Sequence, residues 1–146
     1  MAQLDLTALK KAVASLEGSL ALVGNEDWFY EQSQIAQDTF IAGVIKNFEF
    51  VYELSVKMMK RRLELDSISS SEIDAMNFRD LLRTAAETGL ISVVEHWFKY
   101  RDMRNITSHT YDHEKAQQVY EDTKFFINDA VSLLKTLEGR NGTTVN

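Results

Sequence analysis

An all-α fold, a bundle of four main helical elements with the third interrupted, is predicted by three features of this 146-residue sequence, and its connections permit an antiparallel up-and-down four-helix topology without selecting it. It contains no proline, the residue least compatible with helix interiors. Apolar residues return at three- and four-residue steps in four regions, the spacing that gathers them on one stripe of a helix. Sustained strand alternation and two-residue hairpin punctuation are both missing. With 45% hydrophobic and 26% charged residues there is enough apolar material for one core. One domain is expected over residues 1–138, followed by a flexible C-terminal tail over 139–146.

Leu6, Leu9, Val13, Leu16 and Leu20 define the stripe of the first helix, which should end near Gly24. Asn25, Glu26 and Asp27 read as a polar connection into Trp28, Phe29 and Tyr30, an aromatic cluster suited to packing across a bundle end. The second helix carries Ile41, Val44, Ile45, Phe48, Val51, Tyr52, Val56 and Met59 on its apolar face. Gly43 within it predicts close approach by a neighbouring helix. Glu53 precedes Lys57 by four residues, the order that supports a helix, whereas Glu49 and Glu53 repel unless paired elsewhere. Lys57, Lys60, Arg61 and Arg62 read as a solvated basic helix end, with Met58 and Met59 turned to the core.

The serine-rich stretch 66–77 is expected to be a connection. Asn77 then suits an N-cap, with Asp80 in the first turn and Phe78, Leu81, Leu82 and Ala85 as packing groups. Thr88 and Gly89 interrupt this third element, and Ser92 with Glu95 matches a capping box for its second half, which contains Trp97, Phe98 and Tyr100. The fourth helix starts near Asp112, buries Ala116, Tyr120, Thr123, Ile127, Ala130, Leu134 and Leu137, and should stop at Gly139–Asn141.

Several function classes are disfavoured. The formal charge of -6 argues against a general nucleic-acid surface, although it leaves room for a local one. Without cysteine there is no thiol nucleophile, disulfide framework or thiolate zinc site. The first residues lack a signal-peptide core and no apolar run is long enough to span a bilayer, so no membrane role and a cytoplasmic location are expected. No glycine-rich stretch has phosphate-loop or dinucleotide spacing. His109 and His113 lack a complete ligand set, and Glu49 and Glu53 lack the Glu-x-x-His elements of a diiron bundle, so no metal site is expected. His96, beside Trp97 and Phe98, suits packing or hydrogen bonding. The sequon at Asn141-Gly142-Thr143 is read as tail sequence.

Chemistry concentrates in Tyr100-Arg101-Asp102-Met103-Arg104-Asn105-Ile106-Thr107-Ser108-His109-Thr110-Tyr111-Asp112, at the junction before the last helix. Between Lys99 and Tyr111 three basic residues, Lys99, Arg101 and Arg104, face one acidic residue, Asp102, a local formal charge of +2. An unbroken helix would rotate His109 by roughly 140° from Arg104, whereas a break after Asn105 could bring them together. Arginine can hold two oxygens of a phosphodiester and histidine can move a proton at a ribose hydroxyl near neutral pH, chemistry that needs no metal. The same residue types also suit a plain structural role: Arg104 paired with a carboxylate, His109 on a terminal carbonyl, Asn105 capping a broken helix.

Arg104-Asn105-Ile106-Thr107-Ser108-His109 resembles the HEPN family of all-helical ribonucleases, in which an arginine and a polar residue precede a histidine by this spacing. Tyr111, two residues beyond His109, brings the resemblance closer to HEPN toxins paired with minimal nucleotidyltransferases. The stretch Phe48–Lys57 and the region Phe78–Trp97 are similar to the proteins called nucleotidyltransferase substrate-binding proteins, so the likeness covers most of the chain. The resemblance implies a catalytic Arg104 and His109, a supporting Asn105, and Tyr111 as the residue nucleotidylated (AMP transfer) by the antitoxin partner. It further implies an antiparallel up-and-down four-helix bundle, a homodimer acting on RNA and a cognate minimal nucleotidyltransferase subunit, while the local positive charge makes Lys99 and Arg101 candidate RNA or phosphate contacts. No cofactor is then needed for RNA cleavage, and ATP and a divalent metal would belong to the transferase. The alternative implied by the same family is a non-catalytic substrate-binding subunit of a two-component nucleotidyltransferase.

Overall fold

The computed structural model describes residues 3–143. Its helices are α1 (Thr7–Gly24), α2 (Glu26–Glu31), α3 (Gln34–Asp66), α4 (Ser70–Ala75), α5 (Phe78–Glu87), α6 (Val94–Ile106) and α7 (His113–Thr143), with a 3-10 turn at Thr107–His109. Among the described residues there is no strand. The long elements α1, α3, the α5–α6 pair and α7 form the up-and-down bundle, with the third element interrupted as expected.

The apolar stripes account for the packing. Leu9, Val13 and Leu16 of α1 are buried against α3, whose Asn47 amide donates to Ser19 Oγ of α1 at 3.2 Å. α3 is 33 residues long, about 50 Å, and begins at Ser33, whose hydroxyl accepts from the Ala36 N–H as an N-cap. Its inner face carries Val44, Ile45, Phe48, Val51, Tyr52, Met58 and Met59. The centre is aromatic. Phe126 of α7 packs edge-on to Phe48 of α3 at 4.9 Å and to Tyr100 of α6 at 4.8 Å, with Trp97 at 5.9 Å.

Several local expectations need correcting. Glu26 and Asp27 belong to α2, so the aromatic cluster lies on a short helix: Phe29 is buried, Trp28 packs 5.3 Å from Phe40, and Tyr30 stays exposed. The serine-rich 66–77 connection contains α4, anchored by buried Ile73. Gly43 is exposed and a Cβ there would meet nothing within 4 Å, so among the described residues no helix approaches it closely. Ser92 does not cap α6; the N-cap is Val93, without a side-chain bond. Arg62 is buried rather than solvated, because Asp66 accepts from its Nε and Nη2 at 3.1 and 2.7 Å.

α7 also continues through Gly139–Asn141 to Thr143, so the chain does not leave the helix at 139; residues 144–146 lie outside the described residues. Asn141 explains the extension. Its amide accepts from Leu4 N at 3.1 Å and from Arg62 Nη1 at 3.3 Å, and donates to Leu4 O at 2.9 Å, joining the start of the chain and α3 to α7 at one end of the bundle.

The break between α5 and α6 is built by Gly89, at φ +81°. The Leu90 N–H reaches Ala85 O at 2.8 Å and the Gly89 N–H reaches Ala86 O at 3.1 Å, the paired bonds of a Schellman stop. Arg140 of α7 donates to Thr88 O at the same corner. A Cβ on residue 89 would meet Arg140 only at an ordinary 3.5 Å, so the penalty of Gly89→Ala is the backbone's alone. Urea denaturation should show a loss of roughly 1–2 kcal/mol; an unchanged midpoint would contradict this assignment of the break.

Candidate active site

The end of α6 is fixed by its own hydroxyls. Thr107 Oγ1 donates to Arg104 O at 2.7 Å, Ser108 Oγ to Asn105 O at 3.2 Å and Thr110 Oγ1 to Thr107 O at 3.0 Å. These bonds occupy carbonyls that a finishing helix leaves without partners, so the chain tightens into the 3-10 turn after Ile106, one residue beyond the expected break. Asp112 restarts the chain as a helix: its carboxylate accepts from the N–H groups of Glu114 and Lys115 at 3.0 and 3.3 Å.

Arg104 is half-buried and held across the bundle. Glu53 Oε1 of α3 accepts from its Nη2 at 2.7 Å and from its Nε at 2.9 Å, while Nη1 donates to Thr107 Oγ1 at 3.2 Å. The Glu53 hydrogen bond, with Glu49 adding to the field, raises the guanidinium above its already high ordinary value, so it stays charged. Beside it, burial pushes the Tyr52 hydroxyl up to about 12, against the opposing pull of Arg101 and Arg104. That phenol therefore remains neutral at physiological pH.

His109 is exposed, and its ring stands 6.1 Å from that of Tyr111, edge-on. Tyr111 is 86% exposed. It also rims a cavity of about 200 Å³ floored by Ile41 and Ile45 of α3 and Ala116 of α7. Asn105 is exposed and, among the described residues, its side chain makes no hydrogen bond. Lys99 reaches Asp122 at 3.4 Å, and Arg101 lies 4.6 Å from the centre of the Phe78 ring. Among the described residues no hydrogen bond or ion pair links Arg104 with His109 within one chain.

The +2 count over Lys99–Tyr111 therefore misjudges the surface. Glu53 engages Arg104 and Asp122 engages Lys99, which leaves Arg101 as the cation of this window with no carboxylate partner among the described residues. Glu53 supports Arg104 rather than Lys57. The signal for it was the repulsion between Glu49 and Glu53, which demanded a cation from elsewhere. His96 has the hydrogen-bonding role expected of it: its Nδ1 lies 2.9 Å from Asp129, which also accepts from the Tyr100 hydroxyl. Asp129 was not anticipated, because its partners lie on another helix. Among the described residues no cluster of three or more metal-ligating side chains occurs, and no helix is long and apolar enough to cross a membrane.

Glu53 occupies the Nε–Nη2 edge of Arg104, the edge through which a guanidinium can take two oxygens of an anion. If Arg104 holds an RNA phosphate, as the resemblance implies, releasing a half-exposed pair worth roughly 0.2–1 kcal/mol by Glu53→Gln should tighten RNA binding about 1.4- to fivefold at low salt. Fluorescence anisotropy in a His109→Ala background measures this, and weaker binding would show that Glu53 positions Arg104 instead.

Comparison with known proteins bears on the same region. A family model described as nucleotidyltransferase substrate binding protein like matches residues 4–139. A Haemophilus influenzae protein named "Probable ribonuclease HepT" is 50% identical over 139 residues, 95% of each chain. A solved structure from Haemophilus influenzae, described as the fold of a substrate binding domain of a nucleotidyltransferase, superposes with a TM-score of 0.90 at 49% identity, covering 92% of this chain and 99% of that one.

Proposed function

The chain belongs to the nucleotidyltransferase substrate-binding protein family, and from that premise we propose that it is a metal-independent ribonuclease toxin, silenced when a cognate minimal nucleotidyltransferase antitoxin transfers AMP to Tyr111. The observation that carries this reading is the arrangement at the end of α6: a charged, anchored arginine in its last turn, then an exposed histidine in the 3-10 turn and an exposed tyrosine just beyond it. The name of the 50% identical relative supports the same activity.

Arg104 binds the non-bridging oxygens of the scissile phosphate and neutralises charge that builds on them. His109 removes the proton of the 2′-hydroxyl, whose oxygen attacks the neighbouring phosphorus. The new P–O2′ bond forms as P–O5′ breaks, and the 5′-oxygen leaves with a proton from solvent. The products are a 2′,3′-cyclic phosphate and a 5′-hydroxyl, and no metal or other cofactor enters the step. Asn105 supports the site from the solvent side, and Lys99 and Arg101 add phosphate contacts. A two-fold homodimer would set two copies of Arg104 and His109 around one cleft, supplying the encounter that a single chain does not make.

Nucleotidylation adds a phosphodiester charge and bulk to the hydroxyl of Tyr111, whose ring stands 6.1 Å from that of His109, and so excludes RNA by repulsion and by space. ATP and the divalent metal for that transfer belong to the partner. A second reading, a non-catalytic substrate-binding subunit, is favoured by the description of the solved relative and by the engagement of Arg104 with Glu53. The test incubates the purified, unmodified chain with single-stranded RNA in chelator, alongside Arg104→Ala and His109→Ala. Cleavage by the wild type and its loss in both variants is expected. Mass spectrometry after incubation with the transferase and ATP should place nucleotide mass on Tyr111. Cleavage that persists in both variants, or an unmodified Tyr111 under an active transferase, would overturn the corresponding step; an RNA-inert wild type would favour the binding subunit.

A further inference from the structure

Away from the 3-10 turn, α5 and α6 bring arginines and phenylalanines together on one face. The rings of Phe78 and Phe98 lie 6.5 Å apart; the Arg79 guanidinium sits 4.9 Å from the centre of Phe98, and that of Arg101 sits 4.6 Å from the centre of Phe78. Both rings are half-buried and both arginines are exposed. Neither arginine has a carboxylate partner among the described residues, in contrast to Arg62 and Arg104. An arginine that rests on a ring keeps its charge and loses little further freedom when a ligand binds it. Arg101 stands three residues before Arg104, on the same side of α6, and both act on buried Tyr52, so the ladder runs into the candidate site.

We propose that the ladder Arg79–Phe98–Phe78–Arg101 is a subsite for single-stranded RNA, engaging nucleotides that flank the phosphate held at Arg104; this rests on the ribonuclease reading above. Unpaired bases stack on guanidinium planes and on aromatic rings, while the guanidinium N–H groups take phosphate oxygens. Such contacts tolerate any base, so the subsite extends the grip on the strand without selecting sequence. On a chain of net charge -6, Arg79 and Arg101, without carboxylate partners among the described residues and stacked on rings beside the site, add local positive charge that favours a polyanion there.

The test measures binding of a 5′-labelled single-stranded RNA by anisotropy across a salt series, in the His109→Ala background so that the RNA survives. Adding Arg79→Gln and Arg101→Gln should weaken binding about tenfold at 0.1 M salt and lower the logarithmic salt slope by about 1.4, two phosphate contacts at roughly 0.7 each. Arg79→Lys with Arg101→Lys should keep the slope and still lose affinity, because charge remains while the planar stacking group is gone. Unchanged affinity and slope in the glutamine variant would overturn the ladder while leaving the ribonuclease reading intact. An altered oligomeric state with RNA affinity retained would assign this face to contact between copies and overturn it too. If the His109→Ala parent binds no RNA and the unsubstituted chain cleaves none, the ribonuclease reading fails first, and the ladder with it.

Discussion

Replacing His109 with alanine is expected to slow single-turnover RNA cleavage by about 10²–10⁴-fold, the usual worth of a positioned proton-transfer group. The side chain is exposed and, among the described residues, its ring makes no hydrogen bond, so the substitution should leave the thermal midpoint and helical content unchanged. That separation matters because a residue that merely holds the turn would lose stability and activity together. The turn is instead held by Thr107, Ser108 and Thr110, whose hydroxyls bind the carbonyls three residues back. A rate within threefold of wild type would remove His109 from the chemistry.

The largest loss of stability is expected for Phe126→Ala. The ring is fully buried and meets Phe48 of α3 and Trp97 and Tyr100 of α6, so one truncation opens a cavity between three helices. Removing such a side chain costs about 3–5 kcal/mol, a large share of the roughly 5–15 kcal/mol that stabilises a domain. At roughly 2–4 °C per kcal/mol for a chain of this size, calorimetry should find a fall in Tm of about 6–20 °C. The consequence reaches the site, since α6 carries Arg104 and docks on α7 through these rings. A fall of under 2 °C would show that the aromatic centre is not where the bundle is held.

The bundle was legible because its stripes are local facts. Leu9, Val13 and Leu16 announce a buried helical face from spacing alone, and Gly89 announces the break in the third element through the left-handed backbone it permits. What the spacing could not carry were pairings between helices. Glu53 reads as a partner for Lys57 four residues along, yet the fold presents it to Arg104, 51 residues away. Arg62 reads as a solvated end, yet Asp66 and Asn141 satisfy it in the interior. Asn141 looks like a helix stop, and its side chain instead closes the bundle on Leu4. For the candidate site the residue types and their order were visible in the sequence, Tyr111 among them, whereas its exposure is a property of the fold. The electrostatic setting of Arg104 was not, because the carboxylate that defines it comes from α3.

The claim that Arg104 and His109 drive attack by the ribose 2′-hydroxyl is tested most directly by the ends of the RNA. Unmodified protein is incubated with a defined single-stranded RNA in excess chelator, and the fragments are examined by mass spectrometry. The mechanism predicts 2′,3′-cyclic phosphate on the upstream fragment and a 5′-hydroxyl on the downstream one. Fragments ending in a 3′-hydroxyl with a 5′-phosphate, or RNA left intact, would contradict it.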